Sequence, residues 1–209
     1  MWKQIFIVLL ALSFAFAVLL ISVFRTASVK YDFNPVVSGY QPILEETEPL
    51  IEYYLPYPGK ILPDNPLWPL KALRDRLWLL INTNPMREAE LMLLFADKRL
   101  GSSVTLFENG NFDDGFSSFT KAEKYLEEAS IKEEDNRMAG EQTTEFLIKI
   151  ATASLKHYEL GSYILRRSPD DAKPSIIKTQ EYSKKTFERS RNALLEKGID
   201  PPENPFDWE

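Results

Sequence analysis

The sequence predicts an all-α protein: a transmembrane helix at the N-terminus, a proline-rich stalk, then a bundle of about five antiparallel helices. Three observations lead there. Ile5 to Phe24 is a twenty-residue run without a charge. Pro35, Pro42, Pro49, Pro56, Pro58 and Pro63 punctuate the stretch that follows. From Pro66 onward apolar residues recur at three and four, the helical period, and no segment alternates convincingly with period two.

At 1.5 Å per residue the uncharged run reaches about 30 Å, the thickness of a bilayer core. Trp2, Tyr31 and Phe33 are placed to mark its interfaces. The apolar stretch is longer than a secretory h-region, so residues 1–28 read as an uncleaved signal-anchor, with cleavage at Thr26-Ala27-Ser28 as the alternative. Residues 29–60 read as an extended linker. Each proline fixes its own φ and biases the residue before it toward extended backbone. A fully solvated linker rarely carries Val36, Val37, Ile43, Leu44 and Ile51, so part of it is expected to dock on the domain.

Residues 61–198 read as the bundle. Asn65-Pro66 reads as cap and first residue of the first helix, with Leu70, Leu73, Leu77, Leu80 and Ile81 as its buried stripe. On that assignment Leu73→Asp or Leu77→Asp should unfold the domain. The second helix is expected over 86–109 and ends where Asn109-Gly110 accepts positive φ. The third is expected over 112–132, the fourth over 136–166 and the fifth over 174–197, capped by Gly198. Residues 199–209 form a tail whose Phe206 and Trp208 are placed to tuck against the bundle. Trp68 and Trp78 lie roughly opposed on the first helix, so one should be core and the other exposed. Trp68, Trp78, Phe206 and Trp208 are the candidate partner contacts.

Composition excludes several classes of chemistry. The chain has no cysteine, hence no disulfide framework, thiolate metal site or cysteine nucleophile. Its net charge is −6, and only Lys3 and Arg25 among its basic residues fall in the first 25, so the remainder is more acidic still. Such a body repels nucleic acid. His157 is the single histidine, with no Glu-x-x-His or H-E-x-x-H spacing around it, and reads as a helix-face residue near the core edge. No G-x-S-x-G elbow accompanies it. Asn109, Asn111 and Asp113 fall at alternate positions like a calcium loop, but Asp114 replaces the turn glycine and Thr120 the closing Glu. The pairs Glu127-Glu128, Glu133-Glu134 and Asp170-Asp171 point apart on a helix and read as solvated. No catalytic residue, metal or cofactor is expected.

Two resemblances add to this. Leu55 to Leu80, LPYPGKILPDNPLWPLKALRDRLWLL, then NPMREAELMLLFADKRL, resembles an uncharacterised bacterial and archaeal domain-of-unknown-function family. That family enters with an LPxxPL[YW]PLK motif and continues as a helical hairpin. The likeness covers about Leu55 to Leu126, with Asn84 where Asp is usual and Trp68 where Tyr is usual; it implies a fold but no catalytic residues. Gly110-Asn111-Phe112 with Phe119 and Ala122 resembles half a tetratricopeptide repeat, although Leu100-Gly101 is out of step with that repeat.

The expected function is that of an extracytoplasmic module held on the cell membrane by residues 5–24. It acts in the envelope through a protein partner or as a structural element, without catalysis. The alternatives are a tetratricopeptide-like peptide-binding adaptor and an envelope hydrolase with two inward carboxylates.

Overall fold

Twelve residues separate Leu55 from Trp68, and over that distance the chain passes from extended backbone to helix. The computed structural model describes residues 2, 4, 6, 9, 10, 12–16 and 18, then 50–206 and 208. The described residues between 2 and 18 are helical and exposed. Most of the Ile5–Phe24 span and of the linker lies outside the described residues. Among the described residues no helix is long and apolar enough to cross a membrane.

Five helices follow: α1 (Trp68–Ile81), α2 (Pro85–Glu108), α3 (Phe112–Met138), α4 (Thr144–Arg167) and α5 (Lys173–Glu196). No strand occurs among the described residues. The Asn84 side chain accepts from Arg87 N at 3.0 Å and Pro85 takes the first helical position, where no N–H is needed. Glycines in the left-handed region close α2, α3 and α5: Gly110 at φ 77°, Gly140 at 91° and Gly198 at 71°.

Several boundaries differ from expectation. α1 starts at Trp68 instead of Pro66, because Asn65 caps a turn ahead of the helix: its side chain accepts from Leu67 N at 2.9 Å. The charged stretch after Lys132 stays helical to Met138, since Glu133 and Asn136 are buried there instead of solvated. Glu133 accepts from the Thr143 hydroxyl at 2.6 Å and lies 3.3 Å from Arg137. The fourth helix then begins at Thr144 and not near Asn136, because Gly140 has broken the chain.

α2 and α3 form one antiparallel hairpin, α4 and α5 another. α2 lies beside α4 and α3 beside α5, while α2 and α5 sit on the diagonal out of contact. The hairpins are therefore stacked in parallel, unlike an up-and-down bundle in which first and last helices meet. Leu100, Val104, Phe119, Ala122, Leu160, Ile164 and Ile176 fill one end of the stack. Ala89, Leu93, Ala96, Leu126, Ala129, Ile150 and Ala153 fill the other. Each large aliphatic or aromatic side chain there contributes about 1.5–3 kcal/mol of burial. Small residues let the helices approach: a Cβ on Gly161 would stand 2.8 Å from Gln180 and 3.0 Å from Phe119.

Residues 50–62 form a strap across the stack. Ile51, Leu55 and Pro58 are buried, so the last part of the stretch read as linker belongs to the packed body. Leu55 joins the cluster of Leu100 and Phe119, and Ile51 that of Leu147 and Phe187.

The buried face of α1 is the opposite of the expected one. Leu70, Leu73 and Leu80 are 61, 50 and 80% exposed, whereas Asp75 and Trp78 are buried. Trp78 stacks on Phe95, with centroids 6.3 Å apart. The Arg74 guanidinium lies 5.4 Å from the Trp78 ring and bonds Asp75 at 2.7 Å, so the inward carboxylate keeps a partner. Leu73→Asp is consequently expected to leave the melting temperature of the domain nearly unchanged, within the ~0.5 kcal/mol typical of surface substitutions. A thermal melt followed by far-ultraviolet circular dichroism checks this.

Candidate functional site

The densest chemistry lies where the two hairpins meet. His157 projects from the middle of α4, and Asp97 from α2 and Glu123 from α3 converge on it. Nδ1–H donates to Glu123 Oε1 at 2.8 Å and Nε2–H to Asp97 Oδ1 at 3.2 Å. His157 and Glu123 are wholly buried and Asp97 is 1% exposed. The set extends further. Tyr53 of the strap donates its hydroxyl to Asp97 Oδ2 at 2.8 Å, and Ser183 of α5 donates to Glu123 Oε2. Every helix of the stack and the strap thus send one polar side chain to one point.

Burial alone would lower the imidazole pKa. The hydrogen bonds to Asp97 and Glu123, and the charge of those carboxylates, overcome that and raise it to about 9. His157 is therefore an imidazolium with both N–H groups engaged. Tyr53 is pushed well above its usual value by burial and by the neighbouring Asp97. This arrangement corrects the reading of His157 as a residue at the core edge.

Its chemistry is that of a lock. An imidazolium has no lone pair with which to act as base, and Ser183 faces Glu123 instead of the ring. The three described cavities are lined by other residues. The two inward carboxylates that a hydrolase reading calls for do exist, but they are joined through His157 and sealed from solvent.

A second buried pair fastens the strap. Lys156 Nζ bonds Glu159 Oε2 at 2.8 Å and Ile51 O at 3.3 Å, and Glu159 Oε1 accepts from Leu50 N at 3.0 Å. Further on, Lys71 Nζ donates to Pro58 O at 2.6 Å and Ile61 O at 2.9 Å. Burial lowers the Lys71 ammonium to about 8. A strap without ladder partners for its backbone thus finds them in side chains of α1 and α4.

The candidate partner contacts separate. Trp78 is core, 4% exposed. Trp68 is partly buried, between the Lys71 ammonium at 4.9 Å and the Arg99 guanidinium at 5.3 Å. Phe206 and Trp208 stack on each other at 6.0 Å and meet Tyr158 edge-on at 4.8 and 5.0 Å. They cover the cluster of Leu155, Phe187 and Leu194, which leaves them partly exposed. The calcium-like positions are dispersed: Asn109 ends α2, Asn111 precedes α3 and bonds Asp64, and Asp113 and Asp114 lie in the first turn of α3. Among the described residues no group of three or more His, Asp or Glu side chains is arranged to hold a metal ion.

Sequence reasoning missed Asp97, Glu123, Tyr53 and Ser183. A faint signal existed: each is a polar residue in register with its helix's apolar stripe or in an apolar segment. No curated protein matches the chain. No solved structure matches it either. The family model for a domain of unknown function, DUF5667, matches residues 60–171, which is more than half of the sequence and runs from the strap through the α2/α3 hairpin and all of α4. The chain belongs to the DUF5667 family.

Proposed function

We propose that this protein is a membrane-tethered helical module of the cell envelope that works by contact, as an interaction or structural element, and not by catalysis. The observation that carries this is the uncharged run Ile5–Phe24 ahead of a folded acidic body. Such a run is long enough to span a bilayer. Two features of the body agree. Its one histidine is locked as an imidazolium without access. Its proline-rich approach ends in a strap clamped by Lys156, Glu159 and Lys71, a firm hold between tether and body.

Protease added to intact cells or spheroplasts is expected to remove the domain while a cytoplasmic marker survives. Full protection of the domain, or recovery of the intact chain in the soluble fraction without detergent, overturns the reading.

A second reading, a tetratricopeptide-like adaptor, is favoured by one observation: α2 lies beside α4 and α3 beside α5, the order that stacked repeats adopt. Only two hairpins are present in the described stack, fewer than the three repeats such arrays need. Small-angle scattering of the detergent-solubilised chain distinguishes a grooved solenoid from a closed stack.

A further inference from the structure

Read at 100° per residue, α1 has two apolar faces. One, with Trp78 and Leu79, lies against α2. The other, Leu70, Leu73, Leu77, Leu80 and Ile81, spans an arc of about 100°. Four of these five are exposed, from Ile81 at 38% to Leu80 at 80%, and Leu77 is partly buried. A monomeric soluble surface rarely gathers so many large aliphatic side chains in one stripe.

Charge points to what covers it. Arg76 borders the stripe on one side and is exposed; Arg74 borders the other and keeps 39% of its side chain accessible. The acidic residue of the helix, Asp75, is turned inward onto Arg74. In a chain of net charge −6, this face is apolar with a basic border. Two copies meeting through it would bring arginines against arginines. Lys60, Lys71 and Lys98 join Arg74 around a cavity that Leu67 and Leu70 wall, which extends the basic border.

We propose that α1 is an interfacial helix: its outward stripe lies in the headgroup region of an anionic lipid bilayer, with Arg74 and Arg76 on the lipid phosphates. This rests on the tether reading above and adds to it a fixed orientation. The stripe supplies apolar burial and the arginines supply electrostatic attraction, the two components of interfacial helix binding. The tether raises the local concentration of lipid, so a helix of modest intrinsic affinity stays down.

The chain has no cysteine, so single probes can be placed cleanly. Leu73→Cys, Leu80→Cys and, on α5, Ile177→Cys carry an environment-sensitive fluorophore in the full chain, reconstituted in phosphatidylcholine–phosphatidylserine vesicles containing a nitroxide-labelled lipid. Ile177 is 50% exposed, as Leu73 is, and serves as control. Probes at 73 and 80 should lose most of their emission while the probe at 177 keeps its own. Adding Arg76→Gln, which leaves the Arg74–Asp75 pair intact, or using phosphatidylcholine alone, should restore much of the lost signal. If the chain floats with the vesicles but probes 73 and 80 stay bright, the inference fails and the tether stands. If the chain does not float with them, the tether reading fails first. Energy transfer between labelled copies without lipid quenching assigns the stripe to a second copy and overturns the proposal. Quenching of equal strength on neutral vesicles does the same for its anionic choice.

Discussion

His157→Leu is expected to destabilise the domain by about 3–5 kcal/mol, the range found when one partner of a buried ion pair is removed. The substitution leaves Asp97 and Glu123 inside the stack with only the Tyr53 and Ser183 hydroxyls to satisfy them. Both carboxylates are at most 1% exposed, so water cannot replace the imidazolium without opening the hairpin interface. Against a total stability of about 5–15 kcal/mol for a domain, that loss is a large fraction. Chemical denaturation measures it as a lower midpoint with an unchanged slope. A companion variant separates charge from packing. Combining His157→Leu with Asp97→Leu and Glu123→Met removes the orphaned carboxylates along with the cation, and is expected to regain part of the loss. If the triple variant is as unstable as the sum of its parts, the site is held by shape and the ionic account is wrong.

The expense of such a centre makes sense in this fold. Two hairpins stacked in parallel through leucines and alanines have several near-equivalent registers. A slip of one turn would move His157 about 5 Å away from carboxylates on two different helices and strand three charges. Polar groups in a buried interface can fix register in this way, at a cost in stability. The strap belongs to the same device, because Tyr53 closes the Asp97 side of the centre.

How much of this was legible beforehand depended on whether the signal was local. Helix number, the Asn109-Gly110 stop and the Gly198 cap are local, and all were readable. So was the docking of the strap, from apolar residues that no solvated linker retains. Periodicity showed that α1 is amphipathic, but a period carries no information about which side faces the body. The leucine stripe is the more apolar of two faces, and the structure turns it out. The His157 centre was illegible for another reason: Glu123 is 34 and Asp97 is 60 positions away in the sequence. No spacing rule spans that distance, and a rule that sends charged residues to the surface misplaces all three. Glu133, in a run of charges, failed in the same way until Thr143 supplied its partner.

The same centre sets the expected response to pH, which is the second large effect. The imidazole pKa is about 9 in the folded protein against 6.5 when exposed. A raised pKa means that the folded state holds the proton more tightly, so its contribution is fully present below pH 6.5 and is lost as pH rises through 9. The amount is on the order of 3 kcal/mol. Tyr53, raised further, acts with the same sign at higher pH. Lysines oppose it. Burial lowers Lys71 and Lys149 to about 8, so the fold disfavours their charged forms, and stability recovers as they deprotonate above that value. Both are partly exposed, and solvent screening weakens their share. The net expectation is a denaturation midpoint that falls between pH 6.5 and about 8, where histidine acts alone, and flattens above it. Midpoints measured from pH 6 to pH 9 at constant ionic strength test this, with the triple variant of His157, Asp97 and Glu123 as reference, because His157→Leu alone leaves two buried carboxylates that titrate upward themselves. If the histidine governs the slope, the variant's midpoint stays level over the lower part of that range; a variant that falls in parallel with the parent places the titrating group elsewhere.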